Sequence, residues 1–313
     1  MIKLNSQQMA KFVAEGYLRF DGVVPRALNE QLLARFQSVD PRHHGNLRDY
    51  YHEAVDQRVL PIGASGLPLD QVFDAEPLFC ALLAVPEIEG AICSLLGEAP
   101  RFDHHFLHVT LTPETRTRMQ LPAAAQHNHQ DSTIDPDLAF DIQLFYFPQA
   151  VTEAMGGTRF LPGSHLRTVS EAAIARYQNI VGQQHVVCPA GSVFIFHKGL
   201  WHGGGLNTSQ MMRYLYKIRL APGGSQVRQW DTSDLAPIDD RQGPTFWREA
   251  GGGSVVQQIL MRPQPWFEYD VGRLELINRI KLWRYLLGDP AADVDYWLTR
   301  LERPQLIDRG ASL

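Results

Sequence analysis

The chain has 313 residues, 44% of them hydrophobic and 20% charged, which is ample apolar material for one large core with extensions. A formal charge of −5 with no run of lysine or arginine argues against nucleic acid as a partner. No stretch reaches the about 20 apolar residues of a membrane helix, and "MIKLNSQQMAKFVAEG" lacks the apolar segment of a signal peptide, so a soluble cytoplasmic protein is expected.

The first element reads as a helix opened by Asn5 or Ser6 and closed by Gly16, with Met9, Phe12 and Val13 as its apolar stripe. "YLRF" then has the look of a short strand and "DG" of a turn. A second helix follows over Pro25 to Ser38, with Leu28, Leu32, Leu33 and Phe36 on one face. Residues 39 to 75 mix histidine, glycine and proline and read as loop with short helices. Glu76 to Leu96 is again helical, broken at Pro86. The three cysteines, Cys80, Cys93 and Cys188, lack metal-type spacing and are expected as free thiols in a reducing compartment.

From Arg101 the character changes. "HHFLHVTLT", "FDIQLFYF", "TRFLPGSH", "QHVVCPAGSVFIFH" and "MMRYLYKIRLAP" are short runs rich in β-branched and aromatic residues, punctuated by Gly, Pro and Asn. Only Glu171 to Tyr177 offers a helix among them. An antiparallel sandwich or barrel is therefore expected, not a parallel α/β sheet. After Gly223 come Trp230, Trp247, Trp266, Trp283 and Trp297 and the helical spacing of "GRLELINRIKLWRYLL". That aromatic content needs burial, so the tail is expected to pack on the core. The whole chain, 1–313, is read as one domain, with a helical region over 1–100, a β core over 101–222 and a C-terminal extension over 223–313.

Two metal motifs overlap in "AAAQHNHQDST". His127 and His129 make His-x-His; His129 and Asp131 make His-x-Asp. Residues i and i+2 of an extended segment project to the same side, so either pair can bite one metal. Two imidazoles and one carboxylate on one face suit iron(II) that keeps open positions for a bidentate cosubstrate and O₂. Three later histidines compete as the third ligand: His165, His197 and His202. His202 has the better surroundings, because it opens the run Gly203 to Gly205, where backbone and ligand can approach closely. Beyond it, Arg213 and Arg219 share a strand face with Leu215 and Lys217, and either guanidinium could take the far carboxylate of a keto-acid cosubstrate.

"HQD", "GGTRFLPGSH", "PAGSVFIFHKGLWHGGGLN" and an arginine eleven positions after His202 resemble the phytanoyl-CoA dioxygenase family, as does the opening "MAKFVAEGYLRFDGVVP". The resemblance runs from about Gln7 to Pro222 and is loose over Val39 to Pro100. It implies a mainly β fold with helical flanks, a double-stranded β-helix (jelly-roll, cupin-like) core. It implies an Fe(II)- and 2-oxoglutarate-dependent dioxygenase that uses O₂. His129, Asp131 and His202 become the iron ligands, and Arg213 the anchor for 2-oxoglutarate. Asn207 and Ser209 match polar positions between the last ligand and the arginine. The expected reaction is oxidation, by hydroxylation, of a C–H bond in a small organic molecule such as a secondary-metabolite intermediate. Halogenating relatives replace the carboxylate with a small residue, whereas Asp131 is present.

Two rivals differ in class. A cupin-type metalloenzyme would use His127 and His129 and usually a glutamate soon after, but none occurs between Asp131 and Val151. A non-catalytic β-helix ligand-binding protein would have no reason to keep triad and arginine together. His127 is read as a neighbour of the site, His165 and His197 as hydrogen-bonding within turns. The cluster His104, His105 and His108 is read as strand, one face of which could reach the cavity.

Overall fold

The computed structural model describes residues 1–73, 75–131, 140–167, 174–175, 179–224, 230–234, 282 and 284–288. The chain divides into two compact units, one of Met1–Leu4 with Phe12–Asp231 and one of Asn5–Lys11 with Thr232–Leu313. The proposed helix at Glu171 to Tyr177 and the packing of the Trp-rich tail fall almost wholly outside the described residues.

Helix α1 (Ser6–Glu15) begins where a capping box predicts. The Gln8 N–H donates to Asn5 Oδ1 at 2.8 Å and the Asn5 N–H donates to Gln8 Oε1 at 3.1 Å. The Asp234 carboxylate accepts the next two amides, of Ser6 and Gln7, so negative charge sits at the helix N-terminus. Gly16 ends α1 at φ +79°, a conformation that costs other residues strain. Strand β1 (Tyr17–Phe20) and helix α2 (Arg26–Phe36) follow as expected.

The stretch read as loop with short helices holds α3 (Leu47–Asp56), whose Asn46 side chain caps the Asp49 amide, and a single turn, α4 (Leu69–Val72). Pro86 does more than break a helix. It starts α6 (Pro86–Leu96) after α5 (Pro77–Leu83), occupying the first turn, where its missing N–H costs nothing. A further helix, α7 (Pro113–Arg118), was not expected; Thr112 caps it and Pro113 again supplies the first turn.

The β core is β2 (Arg101–Thr110), β3 (Ile142–Phe147), β4 (Thr158–Phe160), β5 (Gln184–His185), β6 (Ser192–His197), β7 (His202–Gly204) and β8 (Arg213–Ala221). Five strands form one sheet in the order β1-β6-β3-β8-β2 and three form another, β5-β4-β7, with every pairing antiparallel. Phe145, Phe147, Phe194, Phe196 and Leu215 of the large sheet share one apolar cluster with Phe160 of the small one. The Phe160 ring lies 5.1 Å from Phe196 and 4.8 Å from Tyr17. Two antiparallel sheets face each other across this aromatic layer in a jelly-roll core.

The large sheet is covered on its other face too. Tyr146 donates to Asn29 Oδ1 of α2 at 2.7 Å, and Tyr216 meets Phe36 and Phe79 edge-on or tilted at 5.4 Å. All six residues of β3 and all nine of β8 are therefore buried, and period-two alternation in them sorts side chains between two interiors. Cys80, Cys93 and Cys188 are free thiols. No single helix among the described residues is long and apolar enough to cross a membrane.

Several histidines in these interiors are held neutral. Burial lowers the His105 imidazole from 6.5 to about 4, and its Nδ1 lies 2.8 Å from the Tyr216 hydroxyl. Between these two values the unfolded chain binds a proton that the folded chain does not, so stability falls as pH drops from 6.5 towards 4. Replacing His105 with Asn should lower stability at pH 7 yet flatten that acid limb by roughly 2 kcal/mol, measured by urea unfolding across the pH series.

Candidate metal centre

His129 and His202 are brought together by backbone. The His129 N–H donates to the His202 carbonyl and the His202 N–H to the His129 carbonyl, both at 2.8 Å. This reciprocal pair is one antiparallel bridge between β7 and the segment after Ala125, and it sets the two rings with centroids 4.4 Å apart. Two residues on, the Asp131 N–H donates to the Lys198 carbonyl at 3.2 Å, so the segment stays extended and Asp131 falls on the His129 side.

The glycines after His202 permit the approach. A Cβ on Gly203 would stand 2.7 Å from the His127 carbonyl oxygen, and one on Gly205 would stand 2.7 Å from that of Gly157.

Each imidazole is oriented by a carbonyl. His129 Nδ1 lies 3.1 Å from the His127 oxygen and His202 Nδ1 lies 2.8 Å from the Leu200 oxygen. Such bonds fix the tautomer with the proton on Nδ1 and leave Nε2 as the free donor. One ligand atom from each of His129, Asp131 and His202 lies within 4.8 Å of the others, a set that could hold a metal ion. Burial lowers the His202 imidazole to about 4. Burial also works to raise the Asp131 carboxyl, but His202, Lys217 and His129 outweigh it and hold the group well below the usual carboxylate range. Two neutral imidazoles and one carboxylate are what a divalent cation of the iron type requires.

A cavity of about 520 Å³ opens beside this centre, lined among others by His129, His202, Arg213, Lys217, His108 and Tyr51. Arg213 is 2% exposed, and burial lowers its guanidinium to about 10. Its Nη2 donates to Thr110 Oγ1 at 2.7 Å, while Nε and Nη1 have no partner. No carboxylate side chain lines the cavity among the described residues. A buried guanidinium with free donors calls for an anion, and a carboxylate fits its fork.

Arg219, two positions past Lys217, is satisfied. It meets Asp141 through Nε at 3.1 Å and Nη2 at 2.7 Å, and Asp103 at 3.3 Å. The geometry separates two arginines that strand parity left equivalent.

The other residues singled out in the sequence disperse. His127 is exposed, and its contribution to the centre is its carbonyl. The His165 and His197 rings meet tilted with centroids 4.9 Å apart, and burial lowers them to about 4 and about 3. Asn207 is fully buried beside the cavity, but its amide is spent on the loop, donating to the Thr110 and Met211 carbonyls and accepting from Ser209. Ser209 bonds within the same loop. Of the His104, His105 and His108 cluster, His108 lines the cavity.

Thr110 escaped notice in the sequence, as did any site role for Lys217, and Arg116 of α7 also lines the cavity. Parity with Arg213 was the one available sign for Lys217, and Thr110 could be found only through the pairing of Thr110 with Arg213 across β2 and β8.

Residues 12–214 match the family described as Phytanoyl-CoA dioxygenase (PhyH). The chain belongs to this family. Two mycobacterial proteins, "Uncharacterized protein Mb1539" of Mycobacterium bovis and "Uncharacterized protein Rv1501" of Mycobacterium tuberculosis, are each 28% identical over 161 residues. The match covers 50% of this chain and 56% of each relative.

Among solved structures, the carbocyclase SnoK from nogalamycin biosynthesis is similar at 19% identity and a TM-score of 0.49, over 76% of this chain and 93% of that one. The apo form of the non-heme monooxygenase ThoJ is similar at 19% and 0.48, over 69% and 77%. HygX from Streptomyces hygroscopicus, with nickel, 2-oxoglutarate and hygromycin B bound, is similar at 12% and 0.48, over 69% and 87%.

The two arginines should respond oppositely to substitution. Asp141→Ala leaves the buried Arg219 with the Asp103 carboxylate at 3.3 Å and should cost about 3 kcal/mol, whereas Arg213→Met removes an unpaired buried charge and should leave the ligand-free protein as stable or more so. Urea unfolding of both variants checks this; equal losses would contradict the assignment of partners.

Proposed function

We propose that the protein is an Fe(II)- and 2-oxoglutarate-dependent dioxygenase that hydroxylates a C–H bond of a small organic molecule. The observation that carries this reading is a buried guanidinium, Arg213, with two unused donor atoms in the same cavity as the free faces of His129 and His202. His129, Asp131 and His202 would hold the iron. Arg213, steadied by Thr110, would take the distal carboxylate of 2-oxoglutarate. Bound iron with 2-oxoglutarate and O₂ supplies the oxidising power, the cosubstrate leaving as succinate and CO₂.

The chain's own contribution is placement. The Nδ1 bonds to the His127 and Leu200 carbonyls aim the imidazoles before any ligand arrives. Leu111, Leu121, Phe145 and Leu215 give the cavity an apolar wall that excludes water around the cosubstrate, and Tyr51 adds a ring at its side. Asp131 fills the carboxylate position, which supports hydroxylation over halide transfer. His127 is exposed, which disfavours the cupin-type set of His127 and His129.

With Fe(II), ascorbate and 2-oxoglutarate, the purified protein should release succinate slowly even without a substrate. Asp131→Ala should abolish that release and His127→Ala should retain at least about half of it. Arg213→Gln should raise the KM for 2-oxoglutarate by about 10- to 100-fold, as loss of a buried charge-assisted pair would. Succinate release that survives Asp131→Ala and fails in His127→Ala would overturn the assignment.

A further inference from the structure

The two oxygens of Asp131 have different neighbours. Oδ1 faces the centre, 3.8 Å from His129 Nε2, while Oδ2 meets Lys217 Nζ at 2.5 Å. Lys217 is 8% exposed and lies at the middle of β8, paired in register with Phe106 on one side and Phe145 on the other. Its ammonium can therefore reach little solvent. The nearby acids Asp141 and Asp103 are engaged by Arg219, so Asp131 is the counter-charge on which Lys217 depends.

We propose, resting on the metal-site reading above, that Lys217 is a positioning residue which holds Asp131 as a one-oxygen metal ligand and weakens the site's affinity for divalent cations. Three physical effects point the same way. An ammonium on Oδ2 removes that oxygen from the set available to a metal, fixing the carboxylate's rotation with Oδ1 inward. It draws electron density from the carboxylate, making Oδ1 a poorer donor. It also places a positive charge within a few ångströms of the incoming cation, in an interior where like charges repel strongly.

The compensation is in the metal-free protein. There the Lys217–Asp131 pair neutralises a carboxylate that would otherwise be buried against two imidazoles. A lysine in contact with a ligand carboxylate thus keeps the fold intact without metal, at a cost in metal affinity.

The test uses redox-inert Co²⁺, titrated calorimetrically into metal-free full-length protein, with no turnover involved. Lys217→Met, and the polar neutral Lys217→Gln in case the first fails to fold, should bind Co²⁺ about tenfold more tightly than wild type. Lys217→Arg, which keeps the charge, should stay within about threefold of wild type. The metal-free neutral variants should melt at lower temperature than wild type, and saturating Co²⁺ should remove that difference. The visible absorption of bound Co²⁺ should also weaken in the neutral variants as Asp131 becomes free to offer both oxygens.

Unchanged or weaker Co²⁺ binding in folded Lys217→Met and Lys217→Gln, with wild-type binding lost in His202→Ala, overturns this inference alone. Wild-type protein that binds no Co²⁺, or binds it equally well after His202→Ala, overturns the metal-site reading and this inference with it.

Discussion

The whole arrangement depends on one pair of backbone hydrogen bonds, those exchanged between His129 and His202. They stitch the segment after Ala125 to β7 in register, and register decides which side chains face each other. A slip of one residue would turn His129 away and bring Asn128, which is buried on the opposite side, into its place. Because the pairing is made by main chain, the histidine side chains are left free for a ligand. The same logic extends outwards: carbonyls of His127 and Leu200, not other side chains, orient the two rings. A site built this way is preorganised before any ligand binds, which lowers the ordering cost of binding.

The jelly roll supports that pair by making both faces of the large sheet interior. One face of β3 packs against α2 through Tyr146, while the other packs against the small sheet through Phe145 and Phe147. A strand buried on both faces carries no solvent-driven signal of which side is which. Gln143, Lys217 and Arg219 on inward positions are all buried, at 0%, 8% and 3% exposure. Polar residues in such a strand read as exposed by their chemistry, and they are not.

This explains what could be read in the sequence and what could not. The strands and the candidate ligands His129, Asp131 and His202 lay in local patterns: aromatic and β-branched runs, a histidine and an aspartate two apart, a histidine opening a glycine run. A capping residue marked α1, and an apolar face marked α2. Short helices were expected over 39–75 but not placed, because Asn46 and Leu47 of α3 sit among histidines and glycines, and α7 was hidden because Thr112 and Pro113 look like a turn when they are a cap and a first residue. The choice between Arg213 and Arg219 was not legible from their own strand, whose parity treats them alike. The family resemblance points to Arg213, and what distinguishes the two lies elsewhere in the chain: Asp141 and Asp103, on other segments, reach Arg219 and not Arg213. Thr110 was invisible for the same reason, since it acts through a partner about 100 residues away.

The inward face of β8 then has a simple electrostatic order. Arg213, Lys217 and Arg219 occupy alternate positions of one buried strand face, interrupted by Leu215 and spanning about 20 Å. A row of cations in such an interior is stable only if each finds an anion. Arg219 has two carboxylates and Lys217 has one, which it shares with the metal site. Arg213 has only a hydroxyl. Among the described residues, the protein's own acids thus neutralise the row from one end and stop short of the other, and on the proposed reading a ligand's anion would complete it. Leu215, the apolar member between Arg213 and Lys217, sets the separation between that ligand's carboxylate and the metal centre. On the proposed reading, a cosubstrate with one acid at each end of a short chain would satisfy both ends of that spacing at once.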